Sequence, residues 1–100
     1  MAKPTAEKLQ RVRRLARRLG IDGRIEISPK RDKKFVAVGE GPGGRDVHFG
    51  HPDYDDFLDH RDPERRRRYL ARARGIRDGA GKLTWRRRSS PNFWSVHLLW

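Results

Sequence analysis

The sequence reverses its charge within VHFGHPDYDDFLDHRDPERRRRYL, residues 47–70, where a run rich in aspartate and histidine meets four consecutive arginines. Residues 46–62 contain six Asp against one Arg, a balance of −5. Residues 65–100 contain eleven Lys and Arg against one Asp, a balance of +10. Any fold or function assigned to this chain must explain that contrast.

Two helices are predicted inside this stretch. Pro52 suits the first position of a helix, and the aspartates after it are favourable in a first turn, so a short helix should run from there to His60. Its apolar face would consist of Tyr54, Phe57 and Leu58. Asp62, Pro63 and Glu64 form a second start signal, for a helix that ends near Arg74 before Gly75. This helix would place Tyr69, Leu70 and Ala73 in the core, with Ile76 as a further candidate, and expose a stripe of Arg65, Arg68 and Arg72.

An amphipathic helix is predicted on the N-terminal side, over residues 6–19. Thr5 is a suitable N-cap, and Gly20 stands where helices commonly end. The apolar face comprises Leu9, Val12, Leu15, Ala16 and Leu19, whereas the opposite side carries Arg11, Arg13, Arg14, Arg17 and Arg18. One side should pack and the other should meet solvent or phosphate.

Three short strands are predicted between the helices, at residues 24–28, 35–38 and 46–49, because apolar and β-branched residues alternate there. The connecting segments, 29–34 and 39–44, are rich in Pro, Gly and Asp, which favours an antiparallel meander. Basic residues would crowd the first hairpin tip: Lys30, Arg31, Lys33 and Lys34.

The expected fold is a single α+β domain. It comprises a basic N-terminal helix (1–20), a small antiparallel β-sheet (21–50), two short helices (51–76), a basic loop (77–90) and an aromatic C-terminal segment (91–100). The loop, anchored by Leu83 and Trp85, is expected to be the most mobile segment. Nine per cent of the residues are aromatic, which gives such a short and polar chain large side chains to bury.

The composition indicates which classes of molecule the protein can bind. A net charge of +12 in 100 residues favours a polyanion, and nucleic acid is the expected partner, because Lys and Arg release condensed counterions when they bind phosphates. The absence of Cys excludes disulfides and cysteine-ligated zinc. No apolar run is long enough for a membrane span or a signal peptide, so the protein is expected inside a cell or a particle and not in a membrane.

The second half of the chain, from Val47 to Trp100, contains a set of motif residues: His48-Phe49-Gly50, Tyr54, Asp56-Phe57, His60, Asp62, Arg65-Arg66, Tyr69, Arg72, Phe93-Trp94-Ser95 and Leu98-Leu99-Trp100. In these residues it resembles a family of small basic proteins of unassigned function from large DNA viruses and some tailed phages. This resemblance implies a viral origin and a place in the virion or the infected cell, but no activity. Where that family often has an Arg-His pair, this chain has Arg72-Ala73-Arg74.

The leading functional hypothesis is a non-enzymatic viral protein that binds nucleic acid without sequence preference, and DNA is the expected nucleic acid. The expected phosphate contacts are Arg11, Arg14, Arg18, Lys33, Lys34, Arg65, Arg68, Arg72, Arg86, Arg87 and Arg88. The expected core or protein-interface anchors are Phe93, Trp94, Leu98, Leu99 and Trp100.

Two other functions compete with this hypothesis. A minor capsid or cement protein would lay its basic faces on acidic coat surfaces and use the aromatic tail as an anchor. A metal-dependent nuclease would need His48, Asp56 and His60 to converge on a metal, although cap and packing roles account for the same residues. No catalytic residue, cofactor, metal or small-molecule substrate is predicted.

Overall fold

The computed structural model describes residues 3–100, which form an α+β fold of four α-helices and a three-stranded antiparallel sheet. The elements are α1 (Ala6–Arg18), β1 (Arg24–Ile27), β2 (Phe35–Val38), β3 (Val47–Phe49), α2 (Phe57–His60), α3 (Pro63–Ala73) and α4 (Pro91–Leu98), with 3₁₀ turns at Pro42–Gly44 and Thr84–Arg86. No helix in this part of the chain combines the length and the apolar character needed to cross a bilayer.

The N-terminal helix has the predicted start and end. The Thr5 hydroxyl accepts a hydrogen bond from the Lys8 N–H at 3.1 Å, and Gly20 adopts a φ of 73°, a left-handed conformation in which glycine is unstrained. Leu9, Val12 and Ala16 are buried as predicted. The prediction was wrong for Leu19, which is 50% exposed because it caps the helix beyond its last turn.

The sheet is the predicted meander, in the order β1-β2-β3. Its register pairs Ile25 with Ala37 and Ala37 with Val47, and it pairs Phe35 with Phe49. Side chains two residues apart along a strand share a face, so this register collects these five residues on the side that enters the core.

The aromatic C-terminal segment closes this core as helix α4. The Trp94 side chain is fully buried, stacks on Phe49 with ring centroids 6.0 Å apart, and donates its indole N–H to the Arg88 carbonyl at 2.7 Å. Leu98 and Leu99 are also buried, whereas Phe93 and Trp100 are partly buried against the core. A few large side chains thus supply the apolar area that a small domain needs.

The helix predicted to start at Pro52 begins instead at Phe57. Asp56 precedes it in an extended conformation, and Tyr54, predicted to face the core, is 71% exposed. The buried Lys34 ammonium explains the difference, because it donates hydrogen bonds to both the Asp56 carboxylate and the Tyr54 main-chain carbonyl. A helix over residues 52–56 would move the Tyr54 carbonyl away from the Lys34 ammonium. The next helix, α3, starts at Pro63 as predicted, with the Asp62 carboxylate accepting from the Glu64 N–H at 3.0 Å.

The segment expected to be a loop, residues 77–90, folds into a small hydrogen-bonded turn. Arg77 and Leu83 form an antiparallel bridge, and the Asp78 carboxylate accepts from the N–H groups of Ala80 and Lys82. Thr84 is buried and its hydroxyl donates to the Ile76 carbonyl at 3.0 Å. These contacts fix the position of the adjacent Trp85.

Candidate nucleic-acid interface

Four charged side chains form a charge cluster at one side of the core: Lys8, Lys34, Asp56 and Asp59. The Lys8 ammonium donates to Asp56 at 2.9 Å and to both Asp59 oxygens, and Lys34 donates to the same Asp56 oxygen at 2.9 Å. Burial alone would raise the pKa of Asp59, but hydrogen bonds from Lys8 and from the Asp56 N–H outweigh it and lower the pKa below its usual value. The cluster ties α1 and β2 to the start of α2.

Lys34, one of the expected phosphate contacts, is a member of this charge cluster. The Lys34 side chain is 6% exposed and its charge is matched by that of Asp56, which is 3% exposed. The sequence suggested a hairpin-tip lysine because Lys34 follows three other basic residues. Its position one residue before β2 instead turns it inward, so Lys34 is not available to a phosphate.

Two of the three consecutive arginines after Trp85 are also paired internally. Arg88 donates to Glu40 at 2.9 Å and to Asp22 at 2.9 Å, and its guanidinium lies 5.4 Å from the centre of the Trp94 ring. The hydrogen bond to Asp22 is the main cause that raises the pKa of Arg88. Arg87 pairs with Asp78. Arg86 remains exposed and lies over the Trp85 ring at 5.0 Å.

Other arginines converge on a groove of about 660 Å³ between α1 and the α2–α3 region. We call it the arginine groove. Its basic lining residues are Arg11, Arg14, Arg18, Arg61, Arg66 and Arg74, and its lining also includes Leu15, Leu19, Phe57, Leu58, Trp85 and Trp100. No side-chain carboxylate lines this groove, and none of the six arginines pairs with a side-chain carboxylate anywhere in residues 3–100. Arg66 donates through its Nε to the main-chain oxygen of Trp100 at 2.7 Å. Arg11 and Arg14 also border a neighbouring cleft that contains Glu7, Asp55 and Asp59.

Helix geometry explains why these arginines share a groove. Arg11, Arg14 and Arg18 are spaced by three and four residues on α1, so they form one stripe. Arg66 on α3 and Arg74, the residue that caps the end of α3, are eight residues apart and supply the other arginines. Arg61 lies between α2 and α3 in a left-handed conformation with a φ of 56°. It is the single non-glycine residue with positive φ in the described chain, and it turns the chain between the two helices.

Two aromatic rings in the arginine groove lie beneath guanidinium groups. Arg66 and Arg61 lie over Phe57 at 5.3 and 5.9 Å from the ring centre. Arg74 lies over Trp85 at 5.4 Å. Flat cationic and aromatic groups are therefore layered along the groove, at distances typical of cation–π contacts.

The predicted arginine stripe of α3 lines a different groove, of about 750 Å³. Arg65, Arg68 and Arg72 lie there with Tyr69 and Trp100, whose rings stack with centroids 4.0 Å apart. Because Asp55 and Asp56 line the same groove, we call it the mixed groove. Its positive charge is partly offset, in contrast to that of the arginine groove. Lys33, at the β1–β2 turn, lines neither groove.

The three residues that a metal-dependent nuclease would need have separate structural partners. His48 Nδ1 lies 2.7 Å from the Ser28 hydroxyl, and burial lowers the pKa of this histidine. His60 Nδ1 accepts from the Asp62 N–H at 2.9 Å, and Asp56 belongs to the charge cluster. Among residues 3–100, no three His, Asp or Glu side chains are grouped in a way that could hold a metal ion.

Sequence reasoning missed half of the arginine groove. Arg61, Arg66 and Arg74 were not among the expected contacts, nor were the aromatic residues Phe57 and Trp85. The spacing of Arg66, Leu70 and Arg74 at intervals of four was a visible signal of a second stripe on α3. The pairing of that stripe with α1 depends on tertiary packing and left no local signal.

The fold and its grooves define a small basic α+β protein in which six arginines line one groove. A model of a family of unknown function, DUF5754, matches residues 23–73, and the chain belongs to that family. The match covers the sheet, α2 and α3, and α1 and α4 lie outside it. No curated protein and no solved structure was found to match the chain.

Proposed function

We propose that this chain is a non-enzymatic protein of a DNA virus that binds nucleic acid through the arginine groove without sequence preference. The observation that carries the proposal is the convergence of six arginines from distant parts of the chain on one groove that, within residues 3–100, no side-chain carboxylate lines. The viral origin, and with it a place in the virion, comes from the resemblance of the second half of the chain.

Electrostatics favours a polyanion in this groove. The arginines on the two walls repel one another, and no side-chain carboxylate within the described chain forms an ion pair with them. A phosphate backbone between the walls would receive charge-assisted hydrogen bonds from both sides and would release its condensed counterions. Guanidinium contacts to phosphate carry no base information, so binding of this kind is independent of sequence.

The buried tail supports nucleic-acid binding over the capsid alternative. A cement protein that anchors itself through its aromatic tail needs that tail exposed, but Trp94 and Leu98 are fully buried and Leu99 is 1% exposed. The large hydrophobic side chains that are exposed, Leu19, Tyr54 and Ile76, come from three separate segments and include none of the tail.

The proposal is tested by measuring affinity for a random-sequence duplex and for a single strand across a salt series. We expect a steep slope of log affinity against log salt, at roughly 0.9 per phosphate contact for the duplex and roughly 0.7 for the single strand. Replacing Arg11, Arg14 and Arg18 with Gln removes three groove charges. The slope should then flatten by about 2 to 3.

A matched variant controls for net charge. Replacing Arg65, Arg68 and Arg72 with Gln also removes three charges, but from the mixed groove, so it should flatten the slope less. Equal losses in the two triple variants would show that only total charge matters. Failure of the wild-type protein to bind either nucleic acid near physiological salt would overturn the proposed function.

A further inference from the structure

The lining of the arginine groove suggests which form of nucleic acid it binds. We propose that the arginine groove takes a single strand, with phosphates on the arginines and unpaired bases stacked on the Arg–aromatic layers at Phe57 and Trp85. This inference rests on the proposed function and adds to it a preference for unpaired bases. Three steps lead to it: the nature of the groove floor, the base surface that each strand form offers, and the charge of the occupant.

First, the floor of the groove is apolar and aromatic. Phe57 and Trp85 are half-buried, Leu15 is partly buried, and Leu19 is 50% exposed. An electrostatic site for a duplex backbone needs only cations and polar groups. Apolar side chains left open beside six arginines indicate an occupant that has flat apolar surface as well as negative charge.

Second, unpaired bases offer that surface and a duplex does not. In a duplex the base faces are stacked on one another, so only the backbone and the base edges are accessible. Bases of a single strand can stack on aromatic rings and on guanidinium planes. The guanidinium of Arg66 over Phe57 and that of Arg74 over Trp85 place two such surfaces in the groove that holds the phosphate-binding charges.

Third, the charge distribution favours nucleic acid over an acidic peptide. Both ligands carry negative charge and apolar groups, but a strand has one phosphate for each base. That regular alternation matches a groove whose lining combines six arginines with the rings of Phe57 and Trp85. An acidic peptide is therefore included in the test as a competing occupant.

The experiment compares four probes on the folded full-length chain: a short oligothymidylate, its duplex with oligoadenylate, inorganic polyphosphate and polyglutamate. Trp85 lines the arginine groove, Trp100 lines both the arginine groove and the mixed groove, and Trp94 is fully buried. The fluorescence change that Trp85→Leu abolishes therefore reports on base stacking in the arginine groove. We expect the oligothymidylate to bind about tenfold more tightly than the duplex, and to quench fluorescence that polyphosphate leaves unchanged.

Two variants of Trp85 separate stacking from folding. Trp85→Leu should lose about tenfold in affinity for the oligothymidylate, whereas Trp85→Phe keeps a ring and should keep most of it. Unchanged binding of polyphosphate by Trp85→Leu would show that the groove is still folded. If that variant loses polyphosphate binding too, Phe57→Leu provides the same comparison at the other ring.

Three outcomes would overturn the inference. Equal affinity for single strand, duplex and polyphosphate, with a steep salt dependence, would refute the strand preference and leave the proposed function standing. Equal loss in the Leu and Phe variants at Trp85, with polyphosphate binding intact, would refute the stacking. Binding of polyglutamate alone would refute both proposals and indicate an acidic protein as the partner.

Discussion

The charge cluster and the arginine groove use residues of the same helix for opposite purposes. In the cluster, Lys8 of α1 meets Asp56 and Asp59, and Lys34 meets Asp56 in a nearly fully buried pair. In the groove, Arg11, Arg14 and Arg18 of α1 form no ion pair with a carboxylate of the described chain. The comparison shows that net charge is a poor guide to function here, because some basic residues hold the fold together and others remain available to a ligand.

The largest expected effect comes from removing the anion of the cluster. Asp56→Ala would remove the carboxylate 2.9 Å from the buried Lys34 ammonium and leave only that of Asp59, at 3.7 Å. Loss of one partner of a buried ion pair typically destabilises a protein by about 3 to 5 kcal/mol. Urea unfolding would measure the loss. Asp55→Ala is the matched control, because Asp55 is exposed and makes no ion pair within the described chain. A similar small loss in both variants would show that the cluster contributes little to stability.

The second-largest expected effect is a loss of stability in acid, where the charge cluster loses the contribution of Asp59. Asp59 has a lowered pKa in the folded state, so its contribution is present above the unfolded pKa, near about 3.9, and is lost as the pH falls through the folded value. Asp59 is a third exposed, so screening limits the effect to about 1 kcal/mol.

Asp59→Asn should therefore reduce stability at neutral pH and have almost no effect at the acid end. Urea midpoints measured from pH 7 down to about pH 2.5 would test this. Asp32→Asn, at an exposed residue without an ion pair in the described chain, is the control. A pH-independent loss in Asp59→Asn would contradict the assignment.

The smallest expected effect is a gain in stability instead of a loss. Arg14 lies three or four residues from Arg11, Arg17 and Arg18 on α1, and like charges at these spacings destabilise a helix by a few tenths of a kcal/mol per pair. Arg14→Gln should stabilise the free protein by about 0.5 kcal/mol at low salt.

A second substitution on the same helix sharpens the contrast. Lys8→Gln also removes one positive charge from α1, but it should destabilise the protein because Asp56 and Asp59 lose their partner. Thermal melts of both variants at low and high salt would compare them. A loss of stability in Arg14→Gln would mean that this arginine has a structural partner.

The fold was largely predictable from local signals. Thr5 and Gly20 mark the two ends of α1, Asp62 and Pro63 mark the start of α3, and alternating apolar residues mark the three strands. Each of these signals acts within a few residues, so the sequence displays it directly. The prediction of a helix that starts at Pro52 was wrong because the conformation of this segment depends on Lys34. This lysine is distant in sequence and contacts Tyr54 and Asp56 through tertiary packing.

The candidate site was predictable only in part for the same reason. The stripe of Arg11, Arg14 and Arg18 is visible in the sequence, but the groove requires the opposing stripe of α3 at the correct distance. The predicted contacts Lys34 and Arg88 are both engaged with carboxylates far away in the chain. Local patterns reveal which residues are basic, and tertiary contacts decide which of them remain unpaired.

The length of α1 is constrained more tightly than its exposed arginines suggest. Buried Leu9, Val12 and Ala16 interleave along this helix with the groove residues Arg11 and Arg14. Inserting or deleting a single residue near Leu9 would rotate everything after it by about 100°. Arginines would then turn toward Phe35 and Trp94, and apolar side chains would turn toward the groove. Substitutions on the outer surface of α1 are therefore far easier to accommodate than any change in its length.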